Sequence, residues 1–270
     1  EATVHDTLKM KDQLALAYDA GMRALWLGVE DLTATLVKKG QSVDKTTEAF
    51  QRLRTAGVCP MPMMMHHDAQ PLYSRGSNYG LLNQLRLLRK AGAISVQVLM
   101  LVPACGTKLY RETYTSGQVI DRAGNRRIES YMHDGNYIMA SHHKRPWVKQ
   151  LNLMAAYLYF YNPWWLIVEL LRKRNKAGDR PVAMQVIGMI GLTHNIYRTL
   201  GWACRMMFMK IHRLHEPPSS EVPIRSVQGG RADHAPATIP LTIGGDESKP
   251  PSGNGVVVTV KPPTKVAAGH

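Results

Sequence analysis

The chain has 270 residues, 44% of them hydrophobic, with 34 Lys and Arg against 20 Asp and Glu for a formal charge of +14. That length holds one large domain or two small ones and allows a substantial core. The longest apolar runs fall short of the roughly 18 residues a membrane span needs, no signal peptide pattern opens the chain, and the scattered basic residues accompany no nucleic-acid recognition motif, so the reading is no nucleic acid.

Residues 6–20 read as a helix ending at Gly21, and Ala24–Val29 as a short buried strand. Residues 44–56 carry Thr47, Phe50 and Leu53 at helical spacing, with Ser42 or Asp44 as cap and Gly57 as stop. Val58–Met65 is the next strand. Residues 78–91 place Leu81, Leu82, Leu85 and Leu88 on one face and close at Gly92; Ile94–Val102 is a third strand. An Ala-Gly pair recurs at Ala20-Gly21, Ala56-Gly57 and Ala91-Gly92, at a spacing that suits βα units feeding a parallel sheet. The expected fold class is therefore α/β, a barrel or an open sheet.

Residues 104–136 read as loop-rich, and Tyr137–Ser141 as a short strand. Trp147, Leu151, Met154, Leu158 and Tyr161 form a helical stripe broken at Asn162-Pro163; Trp164–Lys176 and Pro181–Leu214 read as further helices. From Glu216 onward the last 55 residues hold nine of the 16 prolines and no Phe, Trp or Tyr, so they are expected to be a disordered tail. The expected division is residues 1–145, 146–215 and 216–270. The chain opens on Glu1 rather than Met and is expected to be a fragment or a processed product. Cys59, Cys105 and Cys204 are far apart and odd in number, which fits neither a disulfide framework nor a zinc site and suits a reducing cytoplasm.

In parallel α/β folds ligands bind at the carboxyl ends of strands. That rule selects Gly28-Val29-Glu30-Asp31, His66-His67-Asp68 and Pro103-Ala104-Cys105-Gly106-Thr107. Each has a plainer reading. Glu30 could cap the helix that follows. His66 and His67 are neighbours on an extended chain and point to opposite faces, so hydrogen bonds to a ligand suit them better than one shared metal. Met61, Met63, Met64 and Met65 are core filler.

At these same loops the sequence resembles the radical S-adenosylmethionine (SAM) superfamily. Ala20–Glu30, reading AGMRALWLGVE, is similar to the family strand that ends Gly-Ile-Glu-Ser, with Asp31 in place of Ser, and Lys38-Lys39-Gly40 is similar to the Lys-Gly that follows. Gly57–Asp68 resembles the next strand, with His66-His67-Asp68 at its end, and Pro103–Tyr110, reading PACGTKLY, resembles the third motif. Pro146–Pro163 is similar to the close of the core in cobalamin-dependent members. The resemblance covers roughly residues 1–163. It implies the C-terminal half of a partial (β/α)6 TIM-like barrel, followed by helices, with strands four to six present and the CxxxCxxC loop for the [4Fe–4S] cluster lying outside this chain. By position it assigns SAM binding to Glu30, Lys39, His66, His67 and Asp68.

The parent enzyme would cleave SAM reductively to modify a small-molecule substrate by methylation or cyclisation, with cobalamin as a further cofactor in the related members. A ferredoxin or flavodoxin would supply electrons. Trp164–Val168 followed by Arg172-Lys173-Arg174 offers peripheral membrane contact and a lipid-like substrate to an otherwise cytoplasmic protein. The alternative is a non-catalytic α/β binding or scaffolding module.

Overall fold

The computed structural model describes residues 1–11, 13–33, 42–103, 108–172 and 176–217. The chain divides into Glu1–Pro217 and Pro218–His270, and the second unit lies outside the described residues, as does all but Glu216 and Pro217 of the tail expected over 216–270.

The first unit is mixed α/β. Its main sheet has four parallel strands, β1 (Ala2–Thr3), β2 (Ala24–Glu30), β3 (Cys59–His66) and β4 (Gln97–Met100), in the order β1-β2-β3-β4. The order never reverses. Right-handed crossovers in one direction put the intervening helices on a single face. Those helices are α1 (Val4–Met10), α2 (Gln13–Asp19), α3 (Val43–Ala56) and α4 (Leu81–Ala91), and they pack in succession, α1 on α3 and α3 on α4. Their ends follow local chemistry. Thr3 and Asp6 form a reciprocal capping box for α1, and the Ser42 side chain accepts from Lys45 N at α3. Gly57 and Gly92 stop α3 and α4 in the left-handed conformation that the recurring Ala-Gly pairs implied. The single helix expected over 6–20 is two, because the backbone leaves the helix at Lys11, with φ at 41°.

The register sorts the sheet residues into two faces. Leu25, Leu27, Met64 and Val98 face the helices and are buried. Trp26, Met63, Met65 and Leu99 alternate onto the other face and are only half-buried. Met64 therefore serves as core filler as expected, whereas Met63 and Met65 lie on the less covered side.

Beyond β4 the sheet stops at a helix, α6 (Pro146–Phe160), instead of another strand. An open strand edge needs partners for its backbone groups. The Tyr157 hydroxyl donates to Val98 O at 3.0 Å and accepts from Val98 N at 3.1 Å. One turn on, the Tyr161 hydroxyl accepts from Val96 N at 2.8 Å and meets Val96 O at 2.9 Å and the Ser95 hydroxyl at 2.6 Å. Four helical residues rise about 6 Å and two strand residues about 6.6 Å, so the tyrosines match the repeat of the edge.

The stretch 104–136 carries more structure than the loop expected there: α5 (Lys108–Thr115), β5 (Ile120–Ala123), β6 (Arg126–Arg127) and a 3-10 turn at Ser130–Asp134. Gly124-Asn125 forms the two-residue turn between β5 and β6. The strand expected at Tyr137–Ser141 is reduced to a bridge between Ala140 and Val119. Asn162 caps α7 (Pro163–Leu171), and α8 (Arg180–Phe208) packs on α6 before β7 (Ile211–Arg213) pairs antiparallel with β5. Buried Arg89 ties these parts together. Its guanidinium sits 4.1 Å from the Phe160 ring centroid and 4.4 Å from that of Trp165, and it donates to Phe160 O. Desolvation lowers its pKa to about 10. Among the described residues no helix is long and apolar enough to cross a membrane.

Replacing Tyr157 with Phe leaves Val98 N and O without their hydroxyl partner, at an expected cost of about 2 kcal/mol. Urea unfolding should show the midpoint falling, while Tyr73→Phe at a 63% exposed position should stay within about 0.5 kcal/mol of the parent.

Candidate functional site

Parallel pairing brings the carboxyl ends of β2, β3 and β4 to one edge of the sheet: Glu30 is level with Met64, and His66 with Met100. Pro103 closes the described part of the loop after β4; Ala104–Thr107 lie outside the described residues, and so does Lys39.

Glu30 ends β2 in an unusual way. The register slips between Gly28 and Glu30, a bulge that leaves one extra residue. Asp31 N donates to Val29 O at 2.6 Å, closing a three-residue turn on Glu30, whose φ is +59°. A non-glycine residue in that region costs on the order of 1 kcal/mol. The turn has a consequence for the carboxylate. Gly28 shares the half-buried face with Trp26, and a Cβ on Gly28 would stand 3.3 Å from Glu30 Oε1. The bulge thus carries the Glu30 carboxylate back over Gly28, onto the face away from the helices. Asp31 turns inward instead. It is buried, accepts from Thr33 N, the Thr33 hydroxyl and Gln84 Nε2 at 2.8, 2.6 and 2.8 Å, and so anchors the loop.

The end of β3 behaves differently. His66 is 1% exposed. Its Nδ1 stands 2.8 Å from Gln70 Oε1, and its Nε2 stands 3.3 Å from Asn152 Nδ2. Gln70 Nε2 donates to Tyr79 O at 3.1 Å, which orients the amide so that its oxygen faces His66. His66 Nδ1 therefore carries the proton, and Nε2 accepts from Asn152. This is a neutral imidazole, and burial pushes its pKa down to about 4. His67 turns the other way, its Nε2 3.3 Å from the Tyr79 hydroxyl, and burial also lowers its pKa. The two histidines diverge as the extended backbone required. Asp68 accepts from the Ser141 hydroxyl and from His142 N, pinning the 141–142 segment to the strand end.

His66, His67 and Asp68 line a cavity of about 230 Å³ with Met100, Leu101, Ile138, Ala140 and Lys149. Glu30 does not line it. Lys149 went unnoticed in the sequence. It lies on the buried face of α6, donates through Nζ to Gln70 O at 2.8 Å, and is 4% exposed. Burial lowers its pKa, and Asp68 partly opposes that. Nearby, Gln150 accepts from Ile138 N and donates to Asn136 O, both at 2.8 Å. The available signal was the polar run Lys149-Gln150 with Asn152 on an otherwise apolar helix face.

No protein-family model matches the chain, and no curated protein matches it significantly. The chemistry of the strand ends therefore rests on their own geometry. Two kinds of group are present. His66, Asp31 and Asp68 use their polar atoms to hold loops in place. Lys149 likewise ties α6 to the Gln70 loop, while a strained turn places the Glu30 carboxylate over Gly28. Among the described residues no group of three or more His, Cys, Asp or Glu could hold a metal ion.

Two outcomes follow. With a native pKa near 4 and an unfolded value near 6.5, His66 favours folding most above pH 6.5, and that contribution falls as the unfolded state takes up protons toward pH 4, by about 3 kcal/mol in all. His67 and His133, also lowered by burial, add in the same direction. Urea midpoints measured from pH 7.5 to 5 should fall steeply for the parent and less steeply for His66→Leu; equal slopes would remove His66 from this role. At Glu30, glycine relieves the positive φ and alanine does not, so Glu30→Gly should unfold at a higher temperature than Glu30→Ala, by about 1 kcal/mol of stability. Equal stability of the two variants would show that the turn at Glu30 stores no strain.

Proposed function

We propose that this chain is the C-terminal half of a partial (β/α)6 barrel of radical SAM type, contributing to SAM binding in a protein that modifies a small-molecule substrate. The observation that carries the reading is the two-sided sheet. Strands run in unreversed order with helices along one face, while Trp26, Met63, Met65 and Leu99 on the other face are half-buried and the Glu30 bulge turns a carboxylate onto that same side. In a barrel that face is the interior, and the remaining strands would cover it.

In this reading Glu30 accepts hydrogen bonds from the ribose hydroxyls or the ammonium of SAM, which a carboxylate does well. The fixed turn holds it ready, so little ordering is needed on binding. Lys39 is proposed to pair the methionine carboxylate. His67, Asp68 and Lys149 belong to the cavity at the β3 and β4 ends and would border the substrate. His66 acts indirectly, by positioning Gln70 and α6.

The [4Fe–4S] cluster does not fit the residues described. Cys59 is buried in β3 and Cys204 is exposed on α8. Cluster ligands would have to come from outside this sequence, and the reductive step with them. No described residue is assigned to cobalamin, and the reductant, a ferredoxin or flavodoxin, would dock on the part that holds the cluster. A second reading, a non-catalytic α/β binding module, draws support from His66 and Asp68, whose polar atoms are engaged within the protein.

The discriminating experiment joins this chain to a CxxxCxxC-bearing partner segment, reconstitutes the cluster and measures 5′-deoxyadenosine from SAM. Product should form only in the joined protein, and Glu30→Gln should raise the KM for SAM about 10- to 100-fold, the loss of one charged hydrogen bond. Product from the isolated chain, or an unchanged KM in Glu30→Gln, would overturn the assignment.

A further inference from the structure

Helix α8 is apolar on both sides. Its inner face, with Leu192, Trp202 and Met206, is buried against the core. Its outer face carries Ile187, Ile190, Tyr197 and Phe208, exposed by 61, 66, 85 and 79%. Ile187 and Phe208 stand 21 positions apart, about 31 Å of helix. An exposed apolar strip of that length on a folded protein marks a contact surface. Helix α7 adds Trp164 at 65% and Leu171 at 81% exposure.

Charge identifies the occupant. Helix α8 contains Arg180, Arg198 and Arg205 and no Asp or Glu, and residues 163–217 hold nine Lys and Arg against three Asp and Glu. Beside the apolar strip, Arg126, Arg198 and Arg205 converge on a pocket of about 210 Å³ walled by Tyr131, Tyr137 and Trp202. The Arg198 guanidinium lies 5.5 Å from the Tyr131 centroid and 3.7 Å from Asp134; Arg126 bonds the Tyr131 hydroxyl at 2.7 Å and Glu129 at 3.0 Å. Three guanidiniums thus line a recess sized for a small anion, and the carboxylates that pair with two of them, Glu129 and Asp134, lie outside its lining. Guanidinium suits phosphate because its planar fork matches the oxygens.

We propose that the outer face of α8 docks on an anionic phospholipid bilayer, with its apolar strip in the headgroup boundary and the Arg126–Arg198–Arg205 recess receiving a lipid phosphate. A second copy of the chain suits the face less well, since pairing like with like would set these arginines against one another. An anionic bilayer supplies both the apolar partner and the opposite charge. The docking is peripheral and stands independently of the SAM reading.

The test is co-sedimentation of the full chain with vesicles of phosphatidylcholine alone and of phosphatidylcholine with phosphatidylglycerol. Binding should favour the phosphatidylglycerol vesicles by about tenfold or more, given roughly 1 kcal/mol for each basic residue at the surface, and weaken with salt. Ile187→Ser with Ile190→Ser should lose binding to both vesicles. Arg198→Gln with Arg205→Gln should lose the preference for phosphatidylglycerol. These positions are exposed, and circular dichroism checks that the variants fold; Phe208→Ser gives an independent probe of the strip. Failure to bind phosphatidylglycerol vesicles, binding unaffected by the isoleucine pair, or a concentration-dependent dimer that the isoleucine pair abolishes would each overturn the proposal. So would a protein whose recess takes up inorganic phosphate while vesicle binding ignores the arginine pair.

Discussion

The hydroxyls of Tyr157 and Tyr161 terminate the parallel sheet. An exposed edge strand offers a row of backbone donors and acceptors to any passing chain, and these two side chains occupy that row at Val96 and Val98. Burial raises the pKa of both tyrosines, so the hydroxyls stay protonated and able to donate as well as accept. The arrangement works only with α6 running antiparallel to β4 at fixed height. Once that height is set, the first half of α6 must lie beside the strand tips. There Lys149 reaches Gln70 O, Gln150 reaches Ile138 N and Asn152 reaches His66. One edge cap therefore both ends the sheet and builds a wall of the cavity.

The strand ends divide their polar groups between holding and presenting. Gln84 and Gln70 both direct amide nitrogens toward Tyr79 O, which joins the Asp31 loop to the His66 loop through a single carbonyl. Such a buried network is stable only when its members are satisfied, and the neutral His66 meets that condition with one donated and one accepted bond. Glu30 stands apart because its backbone is strained. Strain of this kind persists where surrounding structure enforces it, and here pairing with β3 before and after the bulge, Gly28 with Met63 and Glu30 with Met64, holds the extra residue in place.

Much of the fold was legible because its signals were local. The three buried strands, the caps at Ser42 and the glycine stops at Gly57 and Gly92 are set by residues within a few positions of each other. The hairpin at Ile120–Arg127 was not, since Arg122, Arg126 and Arg127 spoil the apolar alternation that marks a strand, and its third strand, β7, arrives from beyond α8. The break at Lys11 was equally hidden, for no Pro or Gly announces it. At the site, sequence position correctly put the 30, 66 and 103 loops at one edge, because parallel strands with βα crossovers must end together. It could not show that Asp68 would be claimed by Ser141 and His142, or that a helix 80 residues downstream would deliver Lys149. Those contacts depend on tertiary closure.

The helical region resolves a puzzle in composition. A helix with apolar residues on opposite faces is ordinarily buried, yet the inner side of α8 already covers the β5 hairpin and α6 while Ile187, Ile190, Tyr197 and Phe208 face solvent. Core packing alone does not demand Ile187, Ile190 and Phe208 on that outer side, where polar residues would cost nothing. Nor does solubility demand arginine without a single acidic residue along 29 positions. An aqueous neighbour explains neither choice. The proposed bilayer, apolar in depth and anionic at its surface, would account for both, and would give part of the +14 charge of the chain a location and a physical reason.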